Sequence, residues 1–289
     1  MWLRFEEAMV TGTGARWLAG AVIVACMALL GPSAPDGVRI ARPLPIGAPK
    51  EVVPNRVMTW NICNPCNGSG HDIGRAADIA TYAPQVVGLQ ETCVRDVERI
   101  RDHLQYLYGL VYHVEYGSVL RSWSRCGGVP WNPGGFGQAV LSAAPMTDRV
   151  NVEYPDGGSE DRGYMAVTTL VDGRPVRVFN THLAQRRQEA IRAEQTGVLA
   201  AEVARHDRAI VLGDFNAVPD AAELTGMWGL AADADPECGP SATGICEPTT
   251  DWQSKFDYIF LRGFEPLEHG VHPTQYSDHS PLHADLRPT

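Results

Sequence analysis

The chain has 289 residues, of which 44% are hydrophobic and 20% are charged, so it is long enough to bury the core of one large domain. Its formal net charge of −10 argues against a broad basic face that binds nucleic acid by counterion release alone. A local basic groove, or an enzyme that binds nucleic acid only transiently, stays compatible with this charge.

The N-terminal segment differs in composition from the rest of the chain. Residues 17–30, WLAGAVIVACMALL, carry no charge and follow Arg16. The run is shorter than the ~20 apolar residues of a membrane span, and this length is typical of a secretory signal. We assign residues 1–33 to a signal peptide or signal anchor and residues 34–55 to a Pro-rich linker. The protein is therefore expected to be secreted or extracytoplasmic, and membrane-anchored if the signal is not cleaved.

Six cysteines follow the signal segment, and an even number in an exported chain predicts disulfides. They are Cys63, Cys66, Cys93, Cys126, Cys238 and Cys246. Cys238 and Cys246 flank a short loop and are the predicted pair. Cys63 and Cys66 could form a redox pair or half of a zinc site, but no second Cys-x-x-Cys follows, which favours a structural bridge.

The elements predicted from hydrophobic periodicity alternate irregularly between strands and helices. In chain order they are a strand at 56–62, a helix at 74–82, strands at 86–91 and 138–145 with a helix at 94–109 between them, a hairpin at 162–184, a helix at 186–206, and strands at 209–216, 254–263 and 278–286. Residues 117–137, rich in glycine and tryptophan, are expected to form a long loop. The pattern favours mixed or largely antiparallel sheets with helices packed outside, and residues 56–289 form one predicted domain.

Polar residues recur at the ends of these strands. They are Asn61, Glu91, Asn180, His182, Asp214, Asn216, Asp257 and the pair Asp278-His279. A lone case is typical of a turn or a cap, but recurrence on six strands predicts that the side chains converge on one rim. Asp214 and Asn216 are two residues apart, so they point to the same side of an extended chain, as do Asn180 and His182.

The chemistry of this set indicates a site for a hard cation and a phosphate. Carboxylate and amide oxygens suit Mg²⁺ or Mn²⁺, whereas zinc would require more histidine or cysteine. His279 could accept a proton from water, and Asp257 could fix its tautomer. His206, His269 and His272 have no such context and are interpreted as surface residues.

Six motifs in this order resemble the endonuclease/exonuclease/phosphatase superfamily. They are TWNI (59–62), GLQE (88–91), NTHL (180–183), GDFN (213–216), FDYIF (256–260) and SDHSP (277–281). The resemblance covers nearly the whole chain after the linker and implies an α/β (α+β) fold, a four-layer α/β sandwich of two packed mixed β-sheets flanked by helices. It also implies a Mg²⁺-dependent (or Mn²⁺-dependent) phosphoesterase.

The resemblance assigns roles by position in the motifs. Asn61, Glu91 and Asp278 match the metal site. His279 matches the general base or a phosphate contact, and Asp257 matches the acid that orients it.

The other matched residues belong to the side of the substrate. Asp214 and Asn216 match the pair that positions the attacking water and the phosphate. His182 matches the phosphate-binding histidine, with Asn180 behind it as a further phosphate-side residue. Arg162 matches a basic phosphate contact of some branches.

The substrate stays open at the level of sequence. The predicted partner is a phosphoester, with DNA or RNA among the candidates, and a phosphatase or sphingomyelinase-type phospholipid hydrolase is the alternative. Arg121, Arg125, Trp123 and Trp131 could stack bases and contact phosphates, or they could form a disulfide-tied surface loop. No stable protein partner is implied, and a membrane is implied only through an uncleaved N-terminal segment. A non-catalytic binding module on the same scaffold is the alternative of another class.

Overall fold

The computed structural model describes residues 50–64, 69–185, 187–241 and 246–289. The predicted signal segment 1–33 and most of the predicted linker 34–55 lie outside these residues. The first strand begins at Val53, so the last residues assigned to the linker already belong to the domain. No helix within the described ranges is long and apolar enough to cross a membrane.

Strands dominate the described part of the chain. The strands are β1 (Val53–Asn61), β2 (Pro84–Cys93), β3 (His113–Arg121), β4 (Gly128–Val129), β5 (Asn132–Pro133), β6 (Gly135–Ser142), β7 (Thr147–Glu153), β8 (Gly163–Val171), β9 (Arg174–His182), β10 (Ala209–Asp214), β11 (Ala232–Asp233), β12 (Asp257–Arg262), β13 (Phe264–Val271) and β14 (Leu282–Pro288). The α-helices are α1 (Asp72–Tyr82), α2 (Val94–Tyr108), α3 (Trp123–Cys126), α4 (Glu189–Val203) and α5 (Thr225–Trp228).

Two six-stranded mixed sheets form the centre of the fold. Their strand orders are β13-β14-β1-β2-β6-β3 and β11-β12-β10-β9-β8-β7. Each sheet has one parallel pair at its centre, β1 with β2 and β9 with β10, and the other neighbours are antiparallel. Parallel strands run in the same direction, so the C-terminal ends of both strands of a pair lie at the same rim of the sheet.

Apolar side chains on both faces of each sheet produce four layers. Val57 of β1 and Leu212 of β10 belong to the core cluster between the sheets. Helices α1 and α2 cover the outer face of the first sheet around Trp60, and α4 and α5 cover the second around Phe179. The predicted four-layer α/β sandwich of two mixed sheets is confirmed.

The prediction of a loop over residues 117–137 is wrong at both ends of that range. β3 extends to Arg121 and β6 begins at Gly135, and only the segment between them leaves the sheet. A Cβ on Gly137 would lie 2.0 Å from the carbonyl oxygen of Gly117, so glycine here allows two strands to pack closely. Glycine density therefore marks a tight strand pairing in this case and does not mark a turn.

Disulfides occur on both sides of the sandwich. The predicted pair Cys238–Cys246 is bonded, and Cys93 is bonded to Cys126. Cys63 is also disulfide-bonded, and its predicted partner Cys66 lies outside the described residues. The sequence could not assign Cys93 to Cys126, because 33 residues separate them.

Candidate active site

The ends of both parallel pairs meet at one rim of the sandwich. In the second sheet, the last residue of β10, Asp214, pairs with His182 of β9 on one side and with Asp257 of β12 on the other. From the first sheet, Asn61 Nδ2 donates a hydrogen bond of 3.0 Å to Asp214 Oδ2. The convergence that the strand-end pattern predicts is therefore present in the structure.

Asp214 occupies the centre of this rim. Its side chain is 1% exposed, and the backbone N–H of Asn216 donates to its Oδ1 at 2.8 Å. Its Oδ2 also lies 3.3 Å from His182 Nε2 and 3.8 Å from His279 Nε2. Two imidazoles, His182 at the end of β9 and His279 in the loop before β14, thus face one carboxylate oxygen.

His279 is fixed in place by its neighbours. Its Nδ1 lies 2.8 Å from Asp257 Oδ2, and its backbone carbonyl accepts a hydrogen bond from the indole of Trp60. The hydroxyl of Ser277 accepts a hydrogen bond from its backbone N–H. The structure thus brings His279 and Asp257 together as a pair, with the other ring nitrogen directed at Asp214.

His182 is held from behind by Arg162. The Arg162 guanidinium lies 2.7 Å from His182 Nδ1. Arginine can only donate, so Nδ1 accepts and Nε2 carries the hydrogen. That hydrogen faces Asp214 Oδ2, while the adjacent Asn216 amide donates to the backbone carbonyl of Leu183. Arg162 therefore fixes the tautomer of His182, and its side chain lies behind the imidazole.

Glu91 reaches the rim through an irregularity in β2. Leu89 packs on the outer face of the first sheet, and strand alternation would place Glu91 on that same face. The register of β2 shifts between Leu89 and Thr92, and Glu91 has a φ of 52°, in the left-handed region. The side chain turns back to the rim, where its Oε1 accepts a 3.3 Å hydrogen bond from Asn61 Nδ2 and lies 3.8 Å from His182 Nε2.

Burial and neighbouring charges separate the proton affinities of His279 and Asp214. Burial lowers the pKa of His279, but the carboxylates of Asp257 and Asp214 outweigh it and raise the pKa to about 10. Burial raises the pKa of Asp214 to about 7, against the effect of the His279 charge. His279 is thus a cation at neutral pH, and Asp214 is a carboxylate that can accept a proton.

Burial favours the uncharged forms of both His182 and Glu91. Burial, followed by the charge of Arg162, lowers the pKa of His182 well below its usual value. Burial also raises the pKa of Glu91, and Arg162 opposes this shift. His182 is consequently a neutral hydrogen-bond donor toward the centre of the site.

Asn180 does not reach the cleft, contrary to its predicted place beside the phosphate. Its amide donates to the backbone carbonyls of Leu89 and Ala139 and accepts from Gln90 Nε2. The side chain is fully buried, one step deeper along β9 than His182. Asn180 links the second sheet to the first and supports the rim from below.

Two of the predicted metal ligands also differ from expectation. Asn61 Oδ1 accepts the backbone N–H of Cys63, so its amide presents hydrogen atoms to Glu91 and Asp214. Asp278 is partly exposed, and no described hydrogen bond or ion pair joins it to Glu91 or Asn61. The structure places Asn61 as a donor to the carboxylates, and of the three predicted ligands it leaves Glu91 and Asp278 with oxygen atoms to offer.

The residues at the rim fit a divalent cation that prefers oxygen. One oxygen each of Asp257 and Asp278 is buried and has no hydrogen-bond partner within the described ranges. Asp214, Asp257 and His279 also offer ligand atoms that lie within 4.8 Å of one another. The pairing of His279 with Asp257 leaves carboxylate oxygens as the atoms with spare capacity, and these suit Mg²⁺ or Mn²⁺.

Two residues at the site were not among the predicted site residues. Glu160 contacts Arg162 at 3.3 Å, and its only signal in the sequence is its position two residues before that arginine. Trp252 is 44% exposed and stands edge-on to His279, with 5.5 Å between the ring centroids. Its contact is visible only in three dimensions, because the loop that carries it has no strand-end pattern.

Comparison with known proteins gives one family for most of the chain. The model of the Endonuclease/Exonuclease/phosphatase family matches residues 58–279. This range includes all six motifs apart from the last two residues of the final one. No curated protein matches the chain.

Solved structures share the fold at low sequence identity. An endonuclease/exonuclease/phosphatase from Beutenbergia cavernae DSM 12333 is 24% identical over 81% of this chain and 71% of its own, with a TM-score of 0.63. The human Nocturnin catalytic domain with bound sulfate is 22% identical over 82% and 94%, with a TM-score of 0.62. D. rerio TDP2 in complex with a single-strand DNA product is 17% identical over 80% and 98%, with a TM-score of 0.63.

Proposed function

This chain belongs to the endonuclease/exonuclease/phosphatase family and is a hydrolase that acts on ester bonds, and from that premise we propose that it cleaves a phosphodiester with the help of Mg²⁺ or Mn²⁺. The observation that carries the proposal is the environment of Asp214. A neutral imidazole, His182, and a cationic imidazole, His279, face the same carboxylate oxygen. This arrangement suits an anionic substrate that requires a proton acceptor beside fixed donors.

The residues of the rim divide the reaction between them. Asp214 accepts a proton from the attacking water, whose oxygen forms the new bond to phosphorus. The ester P–O bond breaks, and the alkoxide leaves and takes a proton from solvent. His279 and His182 donate hydrogen bonds to the phosphoryl oxygens and stabilise the charge that develops there. Asp257 keeps His279 oriented, and Asn216 holds the backbone turn that presents Asp214.

A metal ion would be held by Glu91 and Asp278. When bound, Mg²⁺ supplies Lewis-acid stabilisation of charge on phosphoryl oxygens. Asn61 then serves as the donor that orients the carboxylates of Glu91 and Asp214. Arg162 keeps His182 neutral and directs its Nε2 hydrogen at the substrate.

Removal of the metal or of its ligand tests the proposal. We expect the wild-type protein to hydrolyse bis-p-nitrophenyl phosphate with Mg²⁺ and to lose this activity in EDTA. Glu91→Gln should raise the Mg²⁺ concentration for half-maximal activity by about 10-fold or more. Replacing a residue that only supports a metal ligand already lowers metal affinity by about this factor, and replacing the ligand itself should lower it at least as much. Glu98→Gln, an exposed glutamate on α2, serves as the matched control. Full activity in EDTA would contradict the metal assignment.

The natural substrate is proposed to be a nucleic acid. The structure of D. rerio TDP2 with a single-strand DNA product supports this proposal. A substrate panel of plasmid DNA, RNA, sphingomyelin and inositol phosphates would decide it. Preferential hydrolysis of the lipid or of a phosphomonoester would replace the nuclease by the phospholipase or phosphatase alternative. Inactivity on every substrate would favour a non-catalytic binding module.

We also propose that the protein acts outside the cytoplasm. The apolar run at 17–30 and the two disulfides Cys93–Cys126 and Cys238–Cys246 support this location. Cell fractionation of the full-length chain, with N-terminal sequencing of the recovered protein, would test both export and cleavage. Recovery of uncleaved protein in the cytoplasmic fraction would contradict export.

A further inference from the structure

The segment between β3 and β6 approaches the rim and is bonded to it. Residues 122–134, called the arm here, contain α3 and the β4–β5 hairpin. The disulfide Cys93–Cys126 joins the arm to the end of β2, two residues after Glu91. The arm is thus tied by a covalent bond to the strand that supplies a predicted metal ligand.

Arg125, the neighbour of Cys126, is connected to the catalytic residues through one acid. Its guanidinium lies 2.6 Å from Glu160 Oε2, and the other oxygen of Glu160 lies 3.3 Å from Arg162. Arg162 contacts His182. The Arg125 guanidinium also packs over the ring of Phe136, 4.6 Å from its centroid.

The two arginines differ in how they face solvent. The side chain of Arg162 is 3% exposed, whereas that of Arg125 is 32% exposed, although both contact Glu160. Within the described residues, Glu160 forms an ion pair with each of the two arginines. Of the two, Arg125 is the arginine that an anion from solvent can reach.

The charge of Arg125 acts at the site. Burial and the charge of Arg162 are the main causes that lower the pKa of His182, and the charge of Arg125 adds to them. The hydrogen bond to Glu160 is the main cause that raises the pKa of Arg125, and the charge of Glu91 adds to it. An arginine fork keeps further N–H donors after one carboxylate contact and matches the geometry of a phosphate.

We infer that Arg125 is a substrate-binding residue that donates to a phosphoryl oxygen, and that the Cys93–Cys126 disulfide holds it in position. The inference rests on the proposed phosphodiesterase function and assigns its substrate an anionic contact on the arm. Reduction of this one disulfide would weaken substrate binding, since Arg125 would lose the anchor beside it.

Arg125→Gln and Arg125→Lys test the contact. We expect Arg125→Gln to raise both the KM for bis-p-nitrophenyl phosphate and the Kd for inorganic phosphate by about 10-fold, because a charged hydrogen bond to the phosphate is lost. The kcat should change less than about 2-fold. Arg125→Lys keeps the charge but lacks the fork, so it should show a smaller increase. Arg149→Gln, which breaks an Arg–Glu pair at another edge, should leave both constants unchanged. Wild-type constants in folded Arg125→Gln or Arg125→Lys would overturn the inference.

A double-mutant cycle tests the tether. Replacing Cys93 and Cys126 by serine should raise KM in the wild-type background but change it less than about 2-fold in Arg125→Gln. Replacing Cys238 and Cys246 by serine is the matched control, because Cys238 lines a separate pocket beside Arg262, at the far end of β12 from Asp257. An equal rise in both Arg125 backgrounds would overturn the tether. Absence of hydrolysis by the wild type would instead contradict the proposed function, while calorimetry with inorganic phosphate would still test Arg125.

Discussion

His279 lies between two carboxylates, Asp257 and Asp214, and this position determines its charge. The sequence motif left two roles open for it, a general base or a phosphate contact. With its pKa raised to about 10, the imidazole carries its proton at neutral pH and suits the phosphate contact. The proton acceptor is then Asp214, whose pKa of about 7 lies near physiological pH.

Replacement of His279 tests its contribution to catalysis. We expect His279→Gln to lower kcat for bis-p-nitrophenyl phosphate by about 100-fold or more, because a fixed cationic donor to the phosphoryl group is lost. His269→Gln is the control, since His269 contacts Asp235 away from the rim. A kcat of His279→Gln close to that of the wild type would show that this imidazole does not act in the reaction.

At the scale of elements, the two parallel strand pairs place the site and Asn180 links them. Its amide connects β9 of the second sheet to the carbonyls of Leu89 and Ala139 in the first. Gly88 lies beneath it, where a Cβ would approach Asn180 Oδ1 to 2.9 Å. The spacing between the sheets at this point is thus set by an amide on one side and a glycine on the other.

Removal of this link should reduce stability. Asn180→Leu leaves two buried carbonyl groups and the Gln90 amide with one partner fewer, and we expect it to lower the free energy of unfolding by about 2 to 4 kcal/mol. Asn151→Leu, which removes one exposed hydrogen bond from β7, should change it by less than about 0.5 kcal/mol. Urea unfolding followed by circular dichroism measures both. Similar values for the two variants would contradict the cross-sheet role of Asn180.

Much of the element pattern could be predicted from periodicity, because buried strands and amphipathic helices carry strong signals. The edge strands β7 and β13 were missed, because neither shows the alternation of a half-buried strand. The residues of β7 are mostly exposed, and most of those of β13 are partly buried without a period of two. The glycines of β3 and β6 led to the wrong prediction of a loop for a different reason. A residue without a side chain contributes nothing to the hydrophobic periodicity.

The candidate site could be predicted only as far as strand ends reveal it. Asp214, Asp257 and His279 follow from that pattern, and the structure brings them together. The interior position of Asn180 could not be predicted, because it depends on which strands of the other sheet lie opposite. The contacts of Glu160 could not be predicted, because one of them depends on where the arm folds. Whether a polar side chain near a strand end reaches the cleft or the core depends on one step of register.

For the molecule as a whole, histidines outside the site link stability to pH. His272, expected on the surface, is half-buried and stacks on Tyr82 with 3.6 Å between ring centroids. Burial, followed by the charges of His283 and Arg56, lowers the pKa of His272 to about 4. Burial and Arg56 also lower the pKa of His283. Both rings are thus neutral in the folded protein over a range where the unfolded chain binds protons.

The sign of this effect gives a measurable prediction. Because the folded pKa of His272 lies below its unfolded value of 6.5, its contribution to stability is complete above pH 6.5 and is lost as pH falls toward 4. His272→Gln should therefore reduce the stability loss between pH 7 and pH 5 by up to about 1 kcal/mol, a value discounted for the exposed part of the ring. Urea unfolding at both pH values measures the difference. An unchanged loss in the variant would contradict the shift.

The left-handed backbone at Glu91 sets activity against stability at a single position. A non-glycine residue at a φ of 52° is strained, and glycine adopts this conformation without that strain. Glu91→Gly should therefore melt at a higher temperature than Glu91→Ala by differential scanning fluorimetry, although both lack the carboxylate and should be equally impaired in activity. The carboxylate assigned to the metal therefore occupies a backbone position at which glycine would give the more stable fold.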